Sequence, residues 1–312
     1  MHVLRASEDC LAFFADRVGK SGEIHSTFDR AVNLIFDGGI LVSIVSDQLD
    51  MAPMTCQVDQ AALRRAGWKP GNPVLLDSNF IRIQGEALNL TGAKPWALTH
   101  DLSLPLPLDE AQKRLDLFVS HLLKHGKPEG LLPYLCENQV FRMPQCRVTR
   151  PESNRYVAFI VSRLDQFVTA YRSLNSTAER DILAAYSKIV GFGPGLTPST
   201  DDFAAGFMAT AVICPYGQPQ KKEKLIALNM KLSELARGKT TLVSETLLYH
   251  AAKGHVAEKY LNLIEQLCFT SSESLEKAVD SALSHGDTSG TDFLTGIATA
   301  MKHALNDTLG GQ

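Results

Sequence analysis

No two cysteines in the chain are separated by only two residues. The six present, Cys10, Cys56, Cys136, Cys146, Cys214 and Cys268, are scattered. That spacing argues against a zinc knuckle, a thioredoxin-type redox pair or a disulfide framework, and it reads them as small core residues. An excess of one charge is also missing: 31 Lys and Arg stand against 34 Asp and Glu, a formal net charge of −3. No field exists to recruit a polyphosphate backbone, so nucleic acid is not an expected partner. Long apolar runs are absent too. The longest, Phe203 to Cys214, stops at Pro215, short of the ~20 residues that cross a bilayer, and no membrane partner is expected. His2 and Arg5 are followed by Glu8 and Asp9 rather than by an apolar stretch, so no signal peptide is expected and the expected compartment is the cytoplasm. The chain has no Gly-x-Ser-x-Gly elbow and no His-Glu-x-x-His, and its glycine-rich run over 191–203 carries neither the Gly-Lys-Ser/Thr of a phosphate loop nor the spacing of a dinucleotide fingerprint after a strand.

What remains is an ordinary globular composition. The 312 residues are 45% hydrophobic and 21% charged, enough to fill roughly two domains with real cores. From Glu23 to Thr99 short β-branched runs alternate with turn residues. Ala31 to Phe36 and Ile40 to Val45 flank Asp37-Gly38-Gly39, and Val74 to Leu76 and Phe80 to Ile83 flank Asp77-Ser78-Asn79. These are expected hairpins, with a short helix over Gln60 to Ala66 between them. Past the proline-broken run Leu102 to Leu108 the apolar period turns helical: Leu115, Phe118, Val119, Leu122 and Leu123, then Val157, Ile160, Val161, Leu164, Phe167, Val168 and Tyr171. Ser176 with Glu179 and Thr270 with Glu273 read as capping boxes. The expected fold class is α+β: a small β-rich N-terminal domain, barrel- or sandwich-like, over 1–104, then a mostly α-helical domain over 105–312.

The densest local signal is Gly191-Phe192-Gly193-Pro194-Gly195-Leu196-Thr197-Pro198-Ser199-Thr200-Asp201-Asp202-Phe203, joining two helical segments. Glycines let a backbone approach a ligand closely, and the free amides of a helix's first turn point donors at the same place. A second segment, Gly286-Asp287-Thr288-Ser289-Gly290-Thr291-Asp292-Phe293, repeats this grammar. Ser199, Asp202, Phe203 and Gly206 match Ser289, Asp292, Phe293 and Gly296 at one constant spacing. The simplest account is a pair of loop-to-helix units whose helices cross closely at Gly206 and Gly296 so that both N-termini face one cavity. Ser-x-x-Asp at a helix start is also a capping-box variant, and for those four side chains alone capping comes ahead of chemistry. Capping does not account for the glycines, Pro194, Pro198 or Asp201.

The candidate ligand-binding residues are Gly193, Gly195, Thr197, Ser199, Thr200, Asp201, Ser289, Gly290 and Thr291. The candidate catalytic residues are Asp202, Asp292 and His285, the histidine next to the second loop. Neither loop contains Lys or Arg, so an anion would meet Asp201, Asp202 and Asp292 unfavourably. Mg²⁺ bridging acids and anion, a basic residue from elsewhere, or a ligand with amide or ammonium donors would each resolve this. His250 and His255 read as helix-end dipole partners, Lys221, Lys222 and Lys224 as a solvated helix start, and Trp68 and Trp96 as packing residues. Arg30 and Asn33 either face water or reach a ligand.

At these residues the sequence resembles the AllH-type subunit family of bacterial oxamate carbamoyltransferase. Gly-x-Gly-Pro-Gly-Leu-Thr-Pro-Ser-x-Asp-Asp is complete from Gly191 to Asp202. Arg30-Ala31-Val32-Asn33-Leu34, Thr240-Thr241 with Val243-Ser244, Ala251-Ala252-Lys253-Gly254 and Thr288-Ser289-Gly290-x-Asp292 support it. Where that subunit has Gly-His-Thr-Ser-Gly, this chain has Asp287 in place of the histidine, and Ala52-Pro53-Met54 stands where the relative has a Gly-Pro-Gly-Gly turn. The resemblance implies transfer of a carbamoyl group between carbamoyl phosphate and oxamate or a related small carboxylate, in purine or allantoin nitrogen catabolism. It also implies work as one of several subunits beside acyl-CoA-synthetase-like partners, and it leaves homo-oligomerisation open. The Ser-Thr-Arg-Thr phosphate loop of ordinary aspartate and ornithine carbamoyltransferases is missing. The alternative is a non-catalytic metabolite-binding or scaffold subunit.

Overall fold

A computed structural model describes residues 1–99, 104–138, 144–147, 152–173, 178–216, 222–269, 274–284 and 286–310. The chain forms two compact units, Met1–His100 with His255–Glu258, and Asp101–Gly254 with Lys259–Gln312.

The first unit is a curled nine-stranded sheet. Its strands are β1 (Val3–Ser7), β2 (Ser21–Thr27), β3 (Ala31–Phe36), β4 (Ile40–Ser46), β5 (Thr55–Val58), β6 (Pro73–Asp77), β7 (Phe80–Ile83), β8 (Glu86–Asn89) and β9 (Lys94–Trp96), in the order β8-β7-β6-β2-β3-β4-β5-β1-β9. Helix α1 (Glu8–Ala15) follows β1. Both expected hairpins form: Phe36 pairs with Ile40 and Asp77 with Phe80, each antiparallel. Alternation places Val32, Leu34 and Phe36 in the core while Ala31, Asn33 and Ile35 stay half-buried, as a strand's two-residue period requires. Between the hairpins the expected helix is a single 3₁₀ turn, Leu63–Ala66. Trp68 and Trp96 are buried, consistent with packing roles.

The second unit holds ten further helices among the described residues: α2 (Leu108–His125), α3 (Tyr134–Glu137), α4 (Arg155–Arg172), α5 (Glu179–Tyr186), α6 (Ser199–Ile213), α7 (Lys222–Ala236), α8 (Leu242–Ala251), α9 (Glu258–Cys268), α10 (Leu275–Leu283) and α11 (Ser289–Gly310). The α+β reading of the sequence therefore holds. Helix α6 is the axis of this unit. Ser199 through Thr210 are all buried, as expected of a helix covered on every side. Its widest packing partner is α11. Phe207 meets Phe167, Tyr171 and Phe203, and Phe293 of α11 stacks on Tyr260 with ring centroids 3.8 Å apart. No helix among the described residues is long and apolar enough to cross a membrane.

The cysteine reading needs one correction. Cys136 and Cys146 form a disulfide, joining α3 to the 3₁₀ turn Pro144–Arg147. The two cysteines are ten positions apart, a spacing that marks no cysteine motif. The other four cysteines are buried thiols, as expected of small core residues. The capping boxes read at Ser176 and Thr270 lie outside the described residues.

Candidate functional site

Loop 191–198 runs from the turn after α5 into α6, and two side chains of the first turn of α6, with Thr241 at the start of α8, hold it. Thr200 turns inward: its hydroxyl donates to the carbonyl of Ile189 (2.5 Å) and accepts from the amide of Phe192 (3.0 Å), while its own amide donates to the Phe192 carbonyl (3.1 Å). Asp201 accepts from the Gly191 amide through Oδ1 (2.8 Å) and from the Thr240 hydroxyl through Oδ2. Burial pushes the Asp201 carboxyl up, and the Thr240 hydroxyl, the Gly191 amide and the Ser244 hydroxyl pull it back. Thr241 caps α8 by accepting from the Ser244 amide (3.1 Å) and donates its hydroxyl to the Leu196 carbonyl. Gly193 sits at φ 127°, and a Cβ there would press on the Ser199 amide nitrogen at 2.5 Å. Only glycine fits so tight a turn. Ser199 is not a cap. The N-cap of α6 is Pro198, which has no capping side chain, and Ser199 is the first helical residue. The capping reading is therefore set aside at Ser199.

The second loop enters α11 under a third segment that the sequence reading passed over, Gly126 to Leu131. The Lys127 amide donates to the Thr291 hydroxyl (3.1 Å), and the Leu131 amide donates to Asp292 Oδ1 (2.5 Å). Gly130 lies so close to the Asp292 carboxylate that a side chain there would overlap it. Asn154 fastens the segment from outside: its side-chain amide donates to the carbonyls of Pro128 (2.5 Å) and Gly130 (2.8 Å), and its Oδ1 caps α4 by accepting from the Val157 amide (2.9 Å). A signal was present in the sequence. Gly130-Leu131-Leu132-Pro133 echoes Gly195-Leu196-Thr197-Pro198. Above this segment the Lys127 ammonium pairs with Asp287 Oδ1 at 3.1 Å.

The two loops meet. Thr197 Oγ1 and Ser289 Oγ lie 2.9 Å apart, and the helices behind them cross reciprocally. Gly206 faces the carbonyl of Phe293, and Gly296 faces the carbonyl of Phe203. The crossing exchanges partners at the front as well. Ser289 of one helix and Thr197 lie against Asp202 of the other, while Ser199 and Thr288 lie against Asp292. Each aspartate is at least nine-tenths buried, and each keeps one oxygen, Oδ2, without a hydrogen-bond partner. Burial first, then the charge of Asp292, push the Asp202 carboxyl well above the usual range, and the Ser289 and Thr197 hydroxyls only partly offset this. Burial pushes Asp292 up to about 6, against the pull of the Leu131 amide and the Ser199 and Thr288 hydroxyls. Two neighbouring buried carboxyls resist double ionisation.

Of the expected site residues, Thr197, Ser199, Asp202, Ser289 and Asp292 are brought together. Gly193 and Gly195 form the turn above them, and Gly290 is buried in the first turn of α11. Thr200, Asp201 and Thr291 are occupied in holding loops in place. His285 lies outside the described residues. The side-chain groups around the two carboxyls, Thr197, Ser199, Thr288 and Ser289, all present hydroxyl oxygens, which suits a hard cation such as Mg²⁺. Among the described residues no group of three or more His, Cys, Asp or Glu is placed to hold a metal. Chemically, the arrangement offers two carboxyls with raised pKa values and two unpartnered acceptor positions, flanked by hydroxyls and by the positive end of α11.

Comparison with known proteins agrees with the resemblance read from the sequence. A family model described as oxamate carbamoyltransferase subunit AllH matches residues 189–301, a span that contains both loops and the helices that cross behind them. A second, the AllH family N-terminal domain, matches residues 2–95. No solved structure matches the chain. With the sheet unit and the two-loop core both matched, the chain belongs to the AllH family.

Proposed function

We propose that the chain is a carbamoyl-handling subunit of an oxamate carbamoyltransferase and that the reaction is centred on Asp202 and Asp292. The observation that carries the reading is the pair of buried, unpartnered Oδ2 atoms on these two residues. A buried acceptor without a donor is costly unless something supplies one, and the amide N–H groups of oxamate and of a carbamoyl group are such donors. In the transfer, the oxamate nitrogen forms a bond to the carbamoyl carbon, the bond from that carbon to the phosphate oxygen breaks, and phosphate leaves. The ionised carboxyl of the pair accepts the proton lost from nitrogen. The protonated one, held by Ser289 and Thr197, donates a hydrogen bond to the carbonyl oxygen that gains charge.

A subunit acts with others, and acyl-CoA-synthetase-like partners would complete the assembly. The test is phosphate release from carbamoyl phosphate plus oxamate by the chain assembled with its partner subunits. Asp202→Asn and Asp292→Asn should each reduce turnover by a factor of about 100 or more. Full activity in either variant removes the reading.

The depth of the two carboxyls, 3% and 0% exposed, favours a second reading, a non-catalytic scaffold whose acid pair serves only packing. Thermal-shift titration with oxamate and carbamoyl phosphate separates the two, because only native-state binding raises apparent stability.

A further inference from the structure

We infer that Lys127 is the anion-binding arm of this site, and that Asp287 is an internal placeholder which the negatively charged end of the substrate displaces. The inference rests on the reading of the site given above. The two loops contain four carboxylates and no cation, so a small oxyanion, whether the carboxylate of oxamate or the phosphate of carbamoyl phosphate, needs a positive charge from another segment. Among the described ion pairs, one reaches either loop: Lys127 Nζ with Asp287 Oδ1, at 3.1 Å.

Structural need does not account for Lys127. A cation beside the N-terminus of a 22-residue helix opposes the helix dipole, and an anion there is favoured instead. Yet the backbone of Lys127 is pinned to that helix by Thr291, its segment by Asp292, and the whole loop by Asn154. A rigid base thus carries a side chain that is 44% exposed, and the carboxylate it holds is 96% exposed. Ion pairs this open to water contribute little to stability and exchange readily. A substrate anion would meet the same ammonium, with the positive end of α11 behind it, while its amide end faces the unpartnered oxygens of Asp202 and Asp292. The sites for the two ends of the molecule are thereby distinct: acid pair for the amide, Lys127 for the anion.

The two residues predict effects of opposite sign. Calorimetric titration of the full-length chain in its complex, with oxamate, with its neutral diamide analogue and with inorganic phosphate, reads them directly. Lys127→Gln should weaken oxamate binding by about tenfold or more, as for loss of a hydrogen bond to a charged group, and leave the diamide unchanged. Lys127→Arg should restore most of the affinity, and Asp287→Asn should tighten oxamate severalfold. Phosphate competing with oxamate only when Lys127 is present assigns the arm to the phosphate as well; phosphate indifferent to Lys127 assigns it to the carboxylate. Unchanged oxamate binding in Lys127→Gln, or weaker binding in Asp287→Asn, overturns the inference while the acid-pair reading stands. Lys127-dependent oxamate binding by a complex that transfers no carbamoyl group keeps the inference and removes the reading. A wild-type complex that binds neither anion overturns both.

Discussion

Gly206 lies directly against the main-chain carbonyl of Phe293, and the relationship returns in reverse, with Gly296 against the carbonyl of Phe203. Two helices that share their closest approach in this way are locked in register, and the lock is what sets Ser199 beside Asp292 and Ser289 beside Asp202. A methyl group at either glycine would fall on the opposing carbonyl oxygen. Gly206→Ala and Gly296→Ala should therefore each cost ~1–3 kcal/mol. Each should lower the thermal midpoint by several degrees, since roughly 2–4 °C corresponds to 1 kcal/mol in a unit of this size. An unchanged midpoint would contradict the close crossing.

Asp202 and Asp292 should show the trade that functional groups make against stability. Both carboxyls are pushed up by burial, so their neutral amides fit the folded state better than their ions do. Asp202→Asn and Asp292→Asn should unfold no earlier than the wild type at pH 7, while carbamoyl transfer falls steeply. Denaturant midpoints and turnover measured on the same preparations check both halves. A large destabilisation would assign the pair to packing.

The same shifts set a pH dependence. A carboxyl whose folded pKa lies above its unfolded one favours folding fully below the unfolded value, and that contribution is lost as pH rises through the folded one. For Asp292 the window runs from the ordinary 3.8 to about 6, corresponding to roughly 3 kcal/mol. Asp202, shifted in the same direction, adds to it. Relative to Asp202→Asn/Asp292→Asn, the wild type should lose stability between pH 4 and pH 7. Unfolding free energies at several pH values give the difference, and a flat difference would show that the two groups do not titrate as described.

Asp201 should behave differently from its neighbour. Its two oxygens hold the Gly191 amide and the Thr240 hydroxyl, so Asp201→Ala leaves two donors without a partner at about 1–3 kcal/mol each. The expected readout is faster hydrogen exchange at Gly191 and a lower midpoint. A pure activity loss at full stability would place Asp201 in the chemistry instead.

Asn154 is far from both loops in sequence but holds the segment that carries Lys127. Asn154→Ala removes the α4 cap and both grips on the Pro128 and Gly130 carbonyls. A cost of about 1–2 kcal/mol follows from the cap alone. Exchange at the Lys127 and Leu131 amides should rise with it, whereas protection there equal to the wild type would separate Asn154 from the site.

The amino-acid sequence by itself determined the hairpins, the helical period after Leu108, and the equivalence of the two loops, because each is a local pattern. Phe36 and Ile40 are joined by their own turn, and the matched Ser, Asp, Phe and Gly of the two helix starts are visible without knowing where the helices go. It also showed that the cation needed by an anionic ligand is absent from both loops. Tertiary structure alone decided which side chains the helix crossing exchanges, and so which hydroxyl stands beside which carboxyl. It turned Thr200, Asp201 and Thr291 toward holding loops in place, and it brought in Gly130, Leu131, Asn154 and Lys127, whose partners lie in remote parts of the chain. It paired Cys136 with Cys146, two residues that no cysteine motif marks. The physical reason is the same throughout: periodicity and turn chemistry report what a segment does with its own neighbours, whereas the choice between two surfaces that could meet is made by close packing, here at two glycines.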